Sequence, residues 1–155
     1  WEGSVKVNGE VVTTRDMNRM SAYVQQVDLF CGTLTVKEHL VFSAQLRMQS
    51  TVTNEQRMKK VSQVIKEMNL VDCQNTMIGI PNREKGISIG EKKRLAFASE
   101  VLTDPAILFC DEPTSGLDSF MASQVVSALR MMANQGKAVV TVIHQPSSSV
   151  FNMFD

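Results

Sequence analysis

Apolar and polar positions alternate at the start of the chain. Residues 3–12 alternate around Asn8-Gly9, a dipeptide typical of two-residue hairpin turns. An antiparallel pair of strands is therefore expected to open the chain. Residues 21–27 predict a further short strand that runs into polar residues.

The middle of the chain has the spacing of amphipathic helices. Thr35, Thr53 and Ser88 are each followed three residues later by Glu or Gln, which is the capping box of a helix start. Three helices are predicted after these caps, the first ending near residue 48 and the last before Asp104-Pro105. The apolar faces of the second and third helices are Val61, Val64, Ile65, Met68 and Leu95, Ala98, Leu102. Residues 73–88 are predicted to form a loop, because they include the turn-forming residues Gly79, Pro81, Asn82 and Gly86.

The last third has the pattern of a strand–helix–strand unit. Residues 106–110 are continuously apolar, as expected of a strand covered on both faces, and 138–143 predict a second buried strand. A helix with an apolar face lies between them and ends at Gly136. The two strands are therefore expected to lie in a parallel sheet. Ligands bind at the carboxyl ends of such strands, which here carry Asp111-Glu112 and His144.

Composition excludes several classes of protein. Of the 155 residues, 43% are apolar and 21% are charged, and the net charge is zero. These values exclude a disordered tail, a fibre and a coiled coil, and a chain without a basic excess is not expected to bind nucleic acid. No apolar run approaches the ~20 residues of a membrane helix, and no signal peptide is expected at the start. The three cysteines (Cys31, Cys73 and Cys110) fit neither a disulfide framework nor a paired zinc site.

Asp111 and Glu112 are the first candidates for chemistry. Two carboxylates at the end of a buried strand are costly unless something compensates their charges. A Mg²⁺ ion bound to a phosphate would do so, with Asp111 holding the metal and Glu112 free to orient or deprotonate a water. The alternative is a strand that ends at the surface with two solvated acids.

The residues that follow narrow the choice. Residues 111–118 read DEPTSGLD, and FCDEPTSGLD resembles the Walker B and D-loop segment of ATP-binding cassette (ABC) ATPases. The resemblance implies a nucleotide site that uses ATP and Mg²⁺. It makes Glu112 the general base, Asp111 and Gln26 contacts of Mg²⁺, and Asp118 a residue of the dimer seam. Gln25 is the weaker candidate for the Q-loop glutamine.

Two further elements match that family in order and spacing. Ser88, Ile89, Gly90 and Glu91 lie where the family has its signature motif, and a helix N-terminus is an anion site. The resemblance implies that this motif contacts ATP held by the partner subunit. His144 resembles the switch histidine that contacts the γ-phosphate; its alternative is a structural histidine at the end of a strand.

The resemblance is greatest to the G subfamily of ABC transporters. It rests on YVQQVDLFCGTLTVKEHL, KKRLAFASEVLTDPAILFCDEPTSGLDS and VIHQPSSSVFNMFD. It implies a half-transporter with six membrane helices that pairs with a second half-transporter as a heterodimer, with this segment on the cytoplasmic face. Eye-pigment precursors or another small molecule would be the transported substrate.

The sequence departs from the family in two places. No G-x-x-x-x-G-K-[ST] motif occurs, so the Walker A phosphate cradle is missing. We therefore expect a fragment that begins inside the domain, ends just after His144 and by itself binds ATP weakly or not at all. The first signature glycine is replaced by Ile89, whose branched side chain obstructs close approach of phosphate to the main chain. The composite ATP site that uses this motif is expected to be impaired.

The expected fold is α/β: a P-loop NTPase-like ABC ATPase core with a parallel sheet and a helical subdomain, lacking the Walker A segment. Residues 1–33 and 105–155 would form the core, and 34–104 the helical subdomain with the signature. Lys92–Arg94 would form a solvated helix face, or brace nucleotide or partner acids. Two other functions stay open: a soluble ABC ATPase without a membrane domain, and a non-catalytic nucleotide-sensing module, which Ile89 alone favours.

Overall fold

A small hairpin, a parallel three-stranded sheet and six helices make up the described part of the chain. The computed structural model describes residues 3–26, 29–80, 83 and 85–154. In chain order the elements are β1 (Lys6–Val7), β2 (Glu10–Val11), α1 (Thr14–Met20), β3 (Ser21–Val24), α2 (Val36–Arg47), α3 (Asn54–Glu67), α4 (Ile89–Val101), β4 (Ile107–Asp111), α5 (Ser119–Asn134), β5 (Ala138–Val142) and α6 (Ser148–Phe151).

The opening hairpin confirms the alternation of residues 3–12. β1 and β2 pair antiparallel, and Asn8 and Gly9 both have positive φ, as a two-residue hairpin turn requires. Helix α1 was not predicted. It begins at a capping box in which Thr13 and Asp16 exchange hydrogen bonds, so the signal was present with Asp in place of the usual Glu.

The second sheet is parallel, with strand order β3-β4-β5. The β4–α5–β5 segment therefore confirms the predicted strand–helix–strand unit. β4 is the middle strand, and Cys110 lies opposite both Val24 of β3 and Thr141 of β5. β3 ends at Val24, earlier than the predicted 21–27; residue 27 lies outside the described residues.

Only one face of this sheet is packed within the described residues. Leu108 and Cys110 of β4 are buried in a core that they share with α4 and α5. The opposite face is open, because Tyr23 and Val140 are about half exposed and Phe109 is only partly buried. The prediction that 106–110 is covered on both faces is therefore wrong here. So is the prediction of a buried strand at 138–143, because β5 is an edge strand with exposed side chains at alternate positions.

Helices α2, α3 and α4 begin at the three predicted capping boxes. The amphipathic faces predicted for α3 and α4 are buried in the main core. The division at residues 34 and 104 stays a prediction. No helix among the described residues is both long and apolar enough to cross a membrane.

The described part of residues 73–88 is a loop without helix or strand, as predicted, and its main chain is tightly fixed. Ile78 donates its amide to the carbonyl of Leu34, and Ile87 donates to Met77. Gly86 lies so close to the main chain of Ile78 that a Cβ would collide with it. The loop that leads into α4 is therefore held against the segment that leads into α2.

Candidate functional site

The candidate site lies where β3, β4 and β5 end, and its geometry starts from the turn after β4. Asp111 is the last residue of β4, and the Glu112 amide donates to the carbonyl of Val142 at 3.0 Å, which holds Glu112 against β5. Glu112 has φ of +44°. This left-handed region is unfavourable for a side chain with a Cβ and is enriched at functional sites. The main chain thus aims the Glu112 carboxylate at some conformational cost.

Gln26 reaches Glu112 across the sheet edge. Its Nε2 donates to Oε2 of Glu112 at 2.6 Å, and the two residues are 86 positions apart in sequence. Gln25 instead lines a cavity of about 290 Å³ between β3, α2 and α4. The geometry therefore brings the stronger sequence candidate, Gln26, and not Gln25, to the acid.

Tyr23 is a site residue that sequence reasoning missed. Its hydroxyl donates to Oδ2 of Asp111 at 2.8 Å. This hydrogen bond to a carboxylate, followed by burial and the charge of Asp111, raises the pKa of the Tyr23 phenol. Tyr23 and Asp111 lie on the same, open face of the parallel sheet. Strand alternation could have placed Tyr23 on that face, but only the register brings it to the acid.

His144 lies two residues beyond the end of β5, at the same carboxyl edge as the acids. Its side chain is exposed, and within the described part of the chain no hydrogen bond joins it to Asp111 or Glu112. The next residue, Gln145, has φ of +46°, so the turn after β5 is as unusual as the turn after β4. The structure therefore brings Gln26, Asp111 and Glu112 into one constellation, with His144 beside it.

The predicted signature residues form the N-terminus of α4. Ser88 and Glu91 make the expected capping box: the Ser88 amide donates to Glu91 at 2.7 Å, and the Glu91 amide donates to the Ser88 hydroxyl at 3.2 Å. Burial by itself would raise the pKa of Glu91, but the hydrogen bonds from Ser88, then Cys73 and the charge of Arg94, outweigh burial and lower it. The first-turn amides of Ile89 and Gly90 have no acceptor within the helix, and the Ile89 side chain is 63% exposed.

Asp118 caps α5, with its carboxylate accepting from the Met121 amide at 2.8 Å. The terminal methyl of Met121 lies against Gly90, in the space that a Cβ there would fill. The N-termini of α4 and α5 are therefore neighbours, and the signature residues lie next to the helix that follows the two acids. Gly116 has φ of +73°, which the turn between β4 and α5 requires.

Lys93 and Arg94 overturn the prediction of a solvated face at 92–94. Their side chains are 6% and 7% exposed. Lys93 donates from Nζ to the backbone carbonyl of Gln26, and Arg94 donates to Oε1 of Gln124 on α5 at 3.2 Å. Three adjacent cationic residues predicted a helix face exposed to solvent. Two of the three side chains are instead buried and hold α4 against β3 and α5.

The remaining candidates for chemistry have structural surroundings. His39 is partly buried, packs edge-on against Phe30 with ring centroids 5.1 Å apart, and lies 3.0 Å from the Ser99 hydroxyl. Burial lowers the pKa of its imidazole. The three cysteines are free thiols, and burial raises the pKa of Cys110, beside Asp111, to about 12. A thiol with such a pKa is a poor nucleophile at neutral pH.

The donors at this edge fit a magnesium–nucleotide complex. Two carboxylates and an amide side chain supply oxygen ligands, and Mg²⁺ is usually held by one or two carboxylates together with phosphate oxygens. Among the described residues, no group of three or more His, Cys, Asp or Glu side chains is placed to hold a metal ion by itself. Asp111 and Glu112 are thus suited to a metal that arrives with phosphate.

Comparison with known proteins agrees with this chemistry. A sequence model of the ABC transporter family matches residues 1–115. Protein white of Ceratitis capitata is 56% identical over 149 residues, which cover 96% of this chain and 22% of that protein. The ABC transporter ATP-binding protein/permease wht-1 of Caenorhabditis elegans is 53% identical over 155 residues, covering 99% of this chain and 23% of wht-1. ABC transporter G family member 13 of Arabidopsis thaliana is 48% identical over 157 residues, which cover 99% of this chain and 23% of that protein.

These relatives confirm the resemblance to the G subfamily. The chain spans less than a quarter of the length of the curated relatives it matches. The family match includes the opening hairpin and the two acids at the end of β4, and it covers most of the chain. The chain belongs to the ABC transporter family.

Proposed function

We propose that this chain is part of the nucleotide-binding domain of a G-subfamily half-transporter that hydrolyses ATP to move a small molecule across a membrane. The observation that carries the proposal is the contact between Gln26 and Glu112 at 2.6 Å, beside Asp111 at the end of a parallel strand. An amide held against a carboxylate at this position can orient the acid toward an attacking water molecule.

Each residue of the constellation has a role in this proposal. Glu112 is the general base that receives the proton of the attacking water, and Gln26 positions that carboxylate. Asp111 and Gln26 would hold Mg²⁺, with Tyr23 fixing the orientation of the Asp111 carboxylate. When bound, Mg²⁺ supplies charge neutralisation on the phosphate oxygens. His144 contacts the γ-phosphate from the turn after β5.

The N-terminus of α4 forms a second contact with nucleotide. The free amides of Ile89 and Gly90, at the positive end of the α4 dipole, face ATP held by a partner subunit. Ser88 and Glu91 fix that first turn through their capping box. Asp118 lies at the seam between the two subunits. Phosphoryl transfer depends mainly on positioning and charge, which suits a site shared by two chains.

The partner is a second half-transporter of the same subfamily, most simply in a heterodimer. The described domain faces the cytoplasm beneath its own membrane helices. Pigment precursors, which the resemblance to the G subfamily implies, are the proposed substrate class, with other small molecules as the alternative. Exposed Ile89 in the signature favours a second candidate function, a module that binds nucleotide without turning it over.

Replacing Glu112 by Gln in the full-length transporter with its partner separates these functions. Removal of a general base is expected to lower ATP turnover by about 10²–10⁴-fold while ATP binding is retained. Glu55→Gln, at an exposed position of α3, is the matched control and should leave turnover unchanged. Normal turnover in Glu112→Gln would refute the role of Glu112. A wild-type complex that binds ATP without hydrolysing it would favour the non-catalytic module.

A further inference from the structure

Lys93 is a buried cation that has no role in the function proposed above. Its side chain is 6% exposed, and lysine is rarely buried to this extent, because removing an ammonium from water is costly. An apolar side chain would fill the same space in α4 without that cost. The presence of lysine therefore indicates a polar task at this place.

One hydrogen bond of the Lys93 ammonium indicates what that task is. Nζ of Lys93 donates to the backbone oxygen of Gln26, and the positive charge of the donor makes this a charge-assisted hydrogen bond. Gln26 lies two residues past the end of β3, where the ladder of sheet hydrogen bonds no longer fixes the main chain. Lys93 thus holds the main chain of the residue whose side chain reaches Glu112.

These contacts form a continuous connection from the helical segment to the acid. Lys93 of α4 donates to the backbone carbonyl of Gln26. The side-chain amide of Gln26 in turn donates to the Glu112 carboxylate at 2.6 Å. Lys93 is four positions after Ile89, so one turn of α4 separates the signature from the brace. A change in the position of α4 would therefore move Gln26 relative to Glu112.

We propose that Lys93 is a positioning residue for hydrolysis, which holds Gln26 so that its amide meets Glu112 and which couples α4 to the site. This role rests on the function proposed above. It predicts that loss of the ammonium affects turnover more than nucleotide binding. A misplacement of about 1 Å costs turnover on the order of 10²-fold in well-ordered sites, and a loss of about 10-fold or more is expected here.

The test uses the full-length transporter with its partner, and measures ATP affinity, kcat and KM for Lys93→Met, Lys93→Arg, Gln26→Ala and the double variant Lys93→Met/Gln26→Ala. Lys93→Met should lower kcat with KM for ATP within about 2-fold of wild type, and Lys93→Arg should restore part of the loss because a guanidinium can still donate. If Lys93 acts through Gln26, the double variant should be no slower than the slower single variant. Lys59→Met removes an exposed lysine of α3 as the control.

The outcomes separate this proposal from the function on which it rests. Unchanged kcat in Lys93→Met, or effects that multiply in the double variant, would overturn the positioning role while hydrolysis still depends on Glu112. Hydrolysis that survives Glu112→Gln would instead overturn the proposed function. If Lys93→Met does not fold, Lys93→Gln and Lys93→Arg carry the same comparison: full kcat in Lys93→Gln would overturn the role, and a lowered kcat in Lys93→Gln with partial recovery in Lys93→Arg would support it.

Discussion

The positive φ of Glu112 gives a prediction about stability that is independent of the acid's chemistry. Glu112→Gly and Glu112→Ala both remove the carboxylate and its hydrogen bond to Gln26, so their difference in stability reports the main chain alone. A residue with a Cβ costs roughly 1–2 kcal/mol in the left-handed region. Glycine loses about 0.5–1 kcal/mol more conformational entropy than alanine on folding. The balance is that Glu112→Gly should be more stable than Glu112→Ala by about 0.5–1 kcal/mol.

The assay is urea denaturation followed by circular dichroism, with the midpoint and slope compared between the two variants. The same pair at Gln45, an exposed position inside α2, is the control. There the sign should reverse, since glycine inside a helix costs ~1 kcal/mol relative to alanine. Equal stability of the two Glu112 variants, or greater stability of the alanine variant, would refute the reasoning. Both Glu112 variants should also lose ATP turnover.

Three further predictions follow from described contacts. Gly86→Ala should lower the free energy of unfolding by about 1–3 kcal/mol, because the new Cβ meets the main chain of Ile78; a denaturation midpoint equal to wild type would contradict the close approach. Burial lowers the pKa of His39, so its contribution to stability is present above about pH 6.5 and is lost as the pH falls through its lower folded-state value. Urea midpoints at pH 7.5 and 5.5 should therefore differ less in His39→Gln than in wild type, and equal pH dependence would count against this assignment. Ile89→Gly in the complete heterodimer should raise the ATPase rate, because phosphate can then approach the main chain more closely; an unchanged rate would remove the idea of an impaired composite site.

Local features of this fold were predictable from sequence because their causes are local. The hairpin follows from Asn8-Gly9, and the starts of α2, α3 and α4 follow from side chains that bond three residues along the chain. The strand–helix–strand unit was predictable because two apolar runs of strand length enclose one amphipathic helix. In each case the residues that determine the structure are neighbours in sequence.

The rest of the site depends on contacts between distant residues. Tyr23 meets Asp111 across 88 positions, and Lys93 meets Gln26 across 67. No periodicity of one segment contains that information. A run of cationic residues usually indicates side chains exposed to solvent. Only the packing of α4 against β3 shows that Lys93 is buried. The exposure of β5 was missed for a similar reason, since an apolar run does not reveal what lies over it.

The pairing of β4 with strands on both sides has a consequence for insertions and deletions in the chain. Leu108 and Cys110 point into the core from the same strand that ends at Asp111. Because side chains alternate in direction along a strand, a shift of one residue would turn the apolar pair outward and reverse the direction of the Asp111 side chain. The packing of two ordinary core side chains therefore fixes the direction of the Asp111 carboxylate. Strand β4 is therefore expected to tolerate the exchange of one apolar core residue for another far better than an insertion or deletion.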